Sequence, residues 1–584
     1  MILQKAMGHK NRREFLQAAA AASARMAALS FPMTRMLREQ GIGDAVTSAS
    51  QPQPSEHTSL QASIRGVMVD AARVPESLDY YRRVIEFCSD WELNTLQFRL
   101  ADDQGTALRF SSVADLFTHP DAFTPAQLRI LAEYGTAHGV DLIPELESFG
   151  HTGYITRSPA YAHLLDSEPQ GDREFTGVIP VHPETTELFK KLFREVAAIF
   201  PSKYLHGGCD EVNWGGSALS RKALQAKTRP QLWAEYLNAL NESVEALGKQ
   251  FIVWGDFVVH KEPEILGQLN KNIVIMDWNY WDTNAVQFRN TFAAIQASGH
   301  RGIGAPALIS YRWGPRAGIT SLRNIDAFAD AYFATDNPGS LGVILTNWVP
   351  SRYVQNSIWD GFAYAAVAFK HGTATARESG HRRFVERHFG ARWNKVWSEV
   401  FQLIYDAAPA YSEPDPLSSI GLRLSVPFSD EEHLTTLLRK RTSGCSNPFP
   451  RLRSLLDTVE PRVSKNRSDF QALALSVEYL EAMFWRESII FEHAAGKPFD
   501  SESAHALIRN IAERDRRLLK ALSEDWGQGR SPNSAAKTAP LFGFAPKDQL
   551  LFQWQRAADF SARLALRPEY FYGLLKANGL AGGS

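Results

Sequence analysis

The chain has 584 residues, 44% of them apolar and 22% charged, an ordinary globular composition with length enough for one large domain and another beside it. Its 63 Lys and Arg against 64 Asp and Glu give a formal net charge of -1, so nucleic acid and anionic lipid drop out as main partners. Three scattered cysteines, Cys88, Cys209 and Cys445, exclude a disulfide framework and a Cys-rich zinc site, and folding must rest on core packing.

Residues 1–60 read as a signal peptide and linker, outside the fold. Lys10-Asn11-Arg12-Arg13-Glu14-Phe15-Leu16 precedes an Ala-rich apolar run, Ala18 to Leu29, and this resembles a twin-arginine export signal. The run is too short and too weakly apolar for a stable membrane span. A polar linker, Gln51-Pro52-Gln53-Pro54-Ser55, follows. The expectation is an exported protein, periplasmic or extracellular.

From Ile64 onward, short β-branched or apolar runs ending in polar residues alternate with stretches of helical period. The predicted strands are Ile64 to Asp70, Thr95 to Asp102, Val140 to Glu147, Tyr204 to Glu211, Phe251 to Phe257, Ile273 to Tyr280, Gly302 to Tyr311 and Val343 to Trp348. Helices are predicted over Ser77 to Trp91, Thr124 to His138, Glu184 to Phe200 and Arg229 to Leu247, with apolar residues every three or four positions. Such βα repeats over residues 61–368 predict an α/β fold, a closed (β/α)8 TIM barrel. No Gly-rich phosphate loop follows the first strand, which argues against an open nucleotide-binding sheet.

Residues 369–584 lose the strand rhythm and predict a mostly α-helical C-terminal domain, with helices over Asp469 to His493, Ser503 to Leu522 and Gln549 to Leu564. Arg514-Asp515-Arg516-Arg517 reads as a solvated helix face, and Thr442 to Arg451 and Gly527 to Lys537 as loops.

The chemistry concentrates at Lys203 to Gly216, where a short apolar start gives way to glycines, the acid pair Asp210-Glu211 and Trp214. Neighbouring strand residues point to opposite faces, so two adjacent acids serve one site only where the pleat breaks, as at a strand end rich in glycine. Other strand ends offer Asp70 and Arg73, Asp102 and Asp103, Glu145, Glu147 and His151, Trp254 and Asp256, Trp278 and Tyr280, Tyr311 and Trp313, then Asn347 and Trp348. Barrel active sites lie at the carboxyl ends of the strands, so this distribution predicts one acidic, aromatic-walled cavity. Cys209 reads as a small buried spacer. His119, His151, His182 and His206 show no compact ligand spacing, so neither a metal nor another cofactor is expected.

Four segments resemble glycoside hydrolase family 20, the β-N-acetylhexosaminidases, over roughly residues 62–350. They are Arg65-Gly66-Val67-Met68-Val69-Asp70-Ala71-Ala72-Arg73, Leu100-Ala101-Asp102-Asp103-Gln104-Gly105, Ile143-Pro144-Glu145-Leu146-Glu147-Ser148-Phe149-Gly150-His151-Thr152-Gly153 and His206-Gly207-Gly208-Cys209-Asp210-Glu211-Val212. The resemblance implies an exo-acting, retaining enzyme that releases terminal N-acetylglucosamine or N-acetylgalactosamine, with the sugar's own 2-acetamido oxygen as nucleophile. It makes Glu211 the acid and later the base, and Asp210 the group orienting the acetamide. Glu211 is then expected to hold its proton and Asp210 to stay ionised. By the same resemblance Arg65 binds ring hydroxyls, Trp254, Trp278 and Trp348 line the acetamide pocket, His151 belongs to the substrate site, and Tyr280 or Tyr311 bonds the acetamide oxygen. The chain departs from the family at Cys209, where Gly is usual, at Arg99, where many members have His, and at Asn347-Trp348-Val349-Pro350, which lacks the acid often found after the Trp. These departures suit a divergent branch resembling the hexosaminidase D type. Two other readings stay open: a conventional retaining glycosidase with Glu145 or Glu147 as nucleophile, and a catalytically silent carbohydrate-binding barrel.

Overall fold

In the computed structural model the strands are β1 (Ile64–Asp70), β2 (Thr95–Asp102), β3 (Gly105–Leu108), β4 (Thr118–Phe123), β5 (Asp141–Leu146), β6 (Tyr204–His206), β7 (Gln250–Trp254), β8 (Val274–Trp278), β9 (Arg301–Ala305), β10 (Ala307–Ile309) and β11 (Ser340–Asn347). Eight of them, in the order β1, β2, β5, β6, β7, β8, β9, β11 and back to β1, close a parallel barrel. The pair β3 and β4 extends from the carboxyl end of β2, with β3 antiparallel to it. The residues described are 64–167, 177–310, 316–334, 338–409, 417–420, 427–440, 446–494, 498–530 and 550–582. The segment read as an export signal and linker, and Tyr311 and Trp313, lie outside them.

Side chains alternate between two cores. Ile64 and Met68 of β1 join Ile143, Ile252, Val274, Met276, Ile303 and Ile344 inside the barrel, whereas Val67 and Val69 face the surrounding helices. Those helices start where local chemistry tells them to. Ser77 caps Leu78–Asp90, and Thr124 with Gln127 and Thr228 with Gln231 form capping boxes for Pro125–Ala137 and Arg229–Glu245.

Several predicted strands run past the observed ends, and two of these overruns bear on the site. β6 stops at His206 because Gly208, Cys209 and Glu211 adopt left-handed backbone, φ 66°, 74° and 47°. β7 stops at Trp254, and Asp256–Lys261 winds into one π-helical turn.

Ser59–Ser584 is one compact unit, holding the barrel and the helices that follow it. Those helices include Trp359–His371, Thr373–Arg387, Lys395–Ala407, Phe449–Val459, Arg467–Ala494, Ser501–Gly529 and Leu550–Ala565. Trp359 packs on Phe87 of the first barrel helix, and Arg83 of that helix pairs with Asp469 at 2.7 Å. Asp515 is not on a solvated face as its charged neighbours suggest. It is buried, paired with Arg486 and accepting from Ser561, because an unpaired guanidinium at that depth would be far costlier than the pair. The predicted loop at 527 also begins too early, since the Ser501 helix runs to Gly529. No helix among the described residues is long and apolar enough to cross a membrane.

Candidate active site

The left-handed turn after β6 puts Asp210 and Glu211 over the same end of the barrel at different depths. The Asp210 side chain is 9% exposed and that of Glu211 38%. Two glycines make the approach possible. A Cβ on Gly208 would meet Glu147 Oε2 at 1.9 Å, and one on Gly150 would meet the Asp210 carbonyl at 2.1 Å. The turn is held by its backbone: Cys209 N–H donates to Glu147 Oε2 at 3.0 Å, and Glu211 N–H to Asp256 Oδ2 at 3.2 Å.

His151, itself at φ 48°, stands between acids. Its Nδ1 is 2.9 Å from Asp103 Oδ2 and its Nε2 3.2 Å from Glu211 Oε2, with Asp210 Oδ2 at 3.9 Å. Asp103 Oδ1 also accepts the Gly153 N–H, which fixes the carboxylate. His151 is therefore a partner of Glu211, a more specific place than a general position in the substrate site.

These neighbours set the charges. Burial disfavours the imidazolium, but Asp210, Asp103 and Glu211 together raise the His151 pKa well above its ordinary value. Burial would raise the Glu211 carboxyl, yet the hydrogen bond and charge of His151, then Lys261 and Arg73, hold it below the usual range. Asp210 moves the other way: burial pushes it up, with Glu211 adding and His151 and Arg99 opposing. The two carboxyls are thus shifted in the directions opposite to those expected from the sequence, Glu211 down and Asp210 up, because the cation that favours Glu211 ionisation comes from a different strand end. His151, Asp210 and Glu211 also bring one ligand atom each within 4.8 Å of one another.

Beneath the acids lies a buried ionic floor. Arg99 is fully buried and its Nη1 lies 2.6 Å from Glu145 Oε1 and 2.5 Å from Glu147 Oε1, with Asp102 at 3.1 Å and Asp70 at 3.7 Å. Arg73 bridges Asp70 and Asp102, both at 2.9 Å. Gln97 Nε2 and Trp254 Nε1 donate to Glu145 at 2.6 and 3.1 Å. Burial and the charge of Asp210 raise the Glu147 carboxyl well above the ordinary range despite Arg99, and Glu147 and Asp210 share a hydrogen bond. Asp210 Oδ1, by contrast, is buried with no hydrogen-bond partner among the described residues.

An aromatic wall completes the site. Trp254 and Trp348 lie 5.9 Å apart, Trp348 Nε1 donates to Tyr280 Oη at 3.0 Å, and Tyr280 stacks on Trp278 at 5.0 Å and 27°. Arg73 and Arg99 sit over the Trp348 ring at 5.3 and 5.1 Å. Of the sequence candidates, Glu211, Asp210, His151, Trp254, Trp278, Tyr280 and Trp348 converge. Arg65 does not. It has the parity of Val67 and lies at the amino end of β1, where its Nε donates to the Glu92 carbonyl at 3.1 Å and its own N–H to Asn94. Trp214 is core, packed among Phe149, Trp233 and Arg229. Asp103 and Asp256 were among the strand-end acids read from the sequence but had no role there, and Lys261 was not singled out.

Residues 63–311 match the family model described as glycosyl hydrolase family 20, catalytic domain. Over those residues the barrel is similar to a family 20 catalytic domain. Among curated relatives, the chain is 26% identical to a beta-hexosaminidase of Vibrio furnissii over 248 residues, 37% of this chain and 39% of the relative. It is 23% identical to the beta-hexosaminidase subunit beta of Mus musculus over 269 residues, 43% of this chain and 46% of the relative. The chain thus spans less than half the length of these relatives. A solved Flavobacterium johnsoniae chitobiase is 16% identical with a TM-score of 0.46, covering 77% of this chain and 75% of that one. The Asp210-Glu211 pair, His151, Trp254 and Trp278 fall within the matched residues, Trp348 beyond them, and all occupy strand ends on one face of the barrel.

Proposed function

We propose that the chain is an exo-acting, retaining β-N-acetylhexosaminidase that works by substrate-assisted catalysis on terminal N-acetylglucosamine or N-acetylgalactosamine. The observation that carries this reading is Asp210 Oδ1, a buried carboxylate oxygen with no hydrogen-bond partner among the described residues, beside Tyr280 and the Trp254–Trp348 wall. Such an oxygen is an acceptor in need of an N–H, and the sugar's acetamide supplies one. Bonded there, the amide is oriented and its carbonyl oxygen becomes the better nucleophile toward the anomeric carbon. The indoles exclude water from the positively charged ring that forms.

Glu211, more exposed, faces the leaving group. One proton shared with His151 at 3.2 Å serves it. As the glycosidic oxygen departs, Glu211 gives up that proton, and in the second step it takes one from the attacking water. Glu145 and Glu147 make poor conventional nucleophiles, because both are fully buried and held by Arg99, Gln97, Trp254 and the Cys209 N–H. We also propose export through the twin-arginine segment; replacing Arg12 and Arg13 by lysines would hold the protein inside the cell.

The test is hydrolysis of a chromogenic N-acetyl-β-glucosaminide beside the plain β-glucoside, with Glu211→Gln as control. The acetamido substrate alone is cleaved, the variant loses more than about 100-fold on poor leaving groups, and a chelator changes nothing. Equal cleavage of both substrates would overturn the mechanism.

A further inference from the structure

Arg530 ends the 29-residue helix Ser501–Gly529, far in sequence from the barrel, yet it is buried against the catalytic face. Its Nη2 donates to the carbonyls of Pro350 at 2.5 Å and Tyr353 at 3.1 Å. Its Nε lies 3.2 Å from Glu76 Oε1, on the segment after β1, and the other Glu76 oxygen accepts from Gln355 Nε2 at 2.8 Å. Glu76 and Arg530 form an isolated antiparallel bridge. Trp526 lies under the guanidinium at 4.0 Å, and a Cβ on Gly529 would meet Gln355 Oε1 at 2.3 Å, so the helix end approaches as closely as glycine permits. Burial pushes the Glu76 carboxyl up to about 7, with Arg530 and Gln355 opposing and Asp525 adding.

The carbonyls that Arg530 holds belong to the turn following Trp348. Val349, buried and β-branched, sits at φ 53°, where a branched side chain is strained. Strain of about 1–3 kcal/mol persists only where the surroundings over-determine it. From the barrel side, Asp70 Oδ2 accepts the Val349 N–H at 3.1 Å, and Asn347 Nδ2 donates to the Tyr353 hydroxyl at 2.5 Å. From the other side stands Arg530.

We propose that Arg530 is a positioning residue for the active site: it holds the strained Val349–Tyr353 turn and, through it, the Trp348 indole, which makes the C-terminal helical region part of the catalytic apparatus. This rests on the hexosaminidase reading for its effect on rate, while its effect on the turn does not. Arg486 supplies the control. It is equally buried, on the helix Arg467–Ala494, but it pairs with Asp515 and donates to the carbonyls of Phe428 and Ala557, away from the barrel.

The experiment uses the full chain with Arg530→Met, Arg530→Lys and Arg486→Met, compared at temperatures where each remains folded. Turnover of a chromogenic N-acetyl-β-glucosaminide is measured together with amide hydrogen exchange across residues 347–355. Arg530→Met is expected to lower kcat about 10-fold or more with a smaller change in KM, and to speed exchange in that segment by a similar factor. Arg486→Met alters neither. Lysine, which can serve the two carbonyls or Glu76 but not both, recovers part of the loss. Unchanged exchange in Arg530→Met, or the same kcat loss in Arg486→Met, would overturn the proposal. A wild-type chain without turnover but with faster exchange in Arg530→Met would leave the clamp standing and remove the hexosaminidase reading instead.

Discussion

Replacing Asp103 by Asn tests whether the proton used by Glu211 is held with the help of His151. Asp103 accepts from or pairs with Nδ1 at 2.9 Å, and a hydrogen bond to a charged group contributes about 1.5–3 kcal/mol. At 1.36 kcal/mol per pKa unit, loss of that charge lowers the affinity of the His151–Glu211 pair for its proton by about 1–2 units. The sign follows directly. The pair then loses its proton at lower pH, so the alkaline limb of the kcat/KM profile moves toward acid by that amount. At a fixed pH above the shifted limb, cleavage of a glycoside with a poor leaving group falls about 10- to 100-fold. A dinitrophenyl glycoside, whose anion leaves unassisted, is nearly unaffected in kcat/KM. Both substrates are followed across the pH range with the variant and the parent chain at matched folded fraction. An unmoved alkaline limb, or an equal loss on both leaving groups, would show that His151 and Asp103 do not handle the proton.

Asp256 holds the Glu211 N–H, and burial pushes its carboxyl up to about 6, with Lys261 opposing and the charges of Asp210 and Glu211 adding. The unfolded chain releases that proton near 3.8, so between there and about 6 the folded form holds more protons and stability falls as pH rises. Asp256→Asn should therefore raise stability at pH 7 by at most about 3 kcal/mol and leave it unchanged at pH 3.5, while lowering activity; denaturant titrations at the two pH values decide it. Arg99→Met strands Asp70, Asp102, Glu145 and Glu147 without their shared cation and should cost about 3–5 kcal/mol, read from the urea midpoint; a cost under about 1 kcal/mol would mean the floor is not held by charge. Cys209→Gly relieves a left-handed residue at φ 74° and should keep full activity with stability within about 1 kcal/mol of the parent, whereas a loss of turnover would give the thiol a role that its burial argues against.

The barrel was legible because its strands announce both ends. β1 and β2 run to the residues predicted, since each β-branched or apolar run stops on an acid at the rim. β7 shows where the signal misleads: Phe257-Val258-Val259 reads as a strand, but the chain has already turned into the π-helical segment that carries Asp256 and Lys261 to Glu211. Arg65 could have been set aside from the sequence alone. It lies five positions before Asp70, an odd interval, so if Asp70 faces the cavity Arg65 faces the helices. Arg530 and Glu76 carry no comparable signal, because nothing local to either residue records a partner so distant in the chain.

The protonation order was the least legible feature, for a reason that applies beyond this pair. Two adjacent carboxylates considered by themselves repel, and with Asp210 ionised, its charge and partial burial both favour a proton on Glu211. That argument omits His151, whose approach depends on left-handed backbone at both His151 and Glu211, on the Gly153 N–H that steadies Asp103, and on Gly150, which lets one loop close over the other. The imidazolium is placed nearer the exposed acid than the buried one, 3.2 against 3.9 Å, and so favours ionised Glu211. On the proposed reading, a Glu211 that rests as a carboxylate against His151 still has a proton within one hydrogen bond. Bringing a sugar against the pair displaces water and disfavours separated charge, which shifts the proton from His151 to Glu211 when the leaving oxygen is in place to receive it.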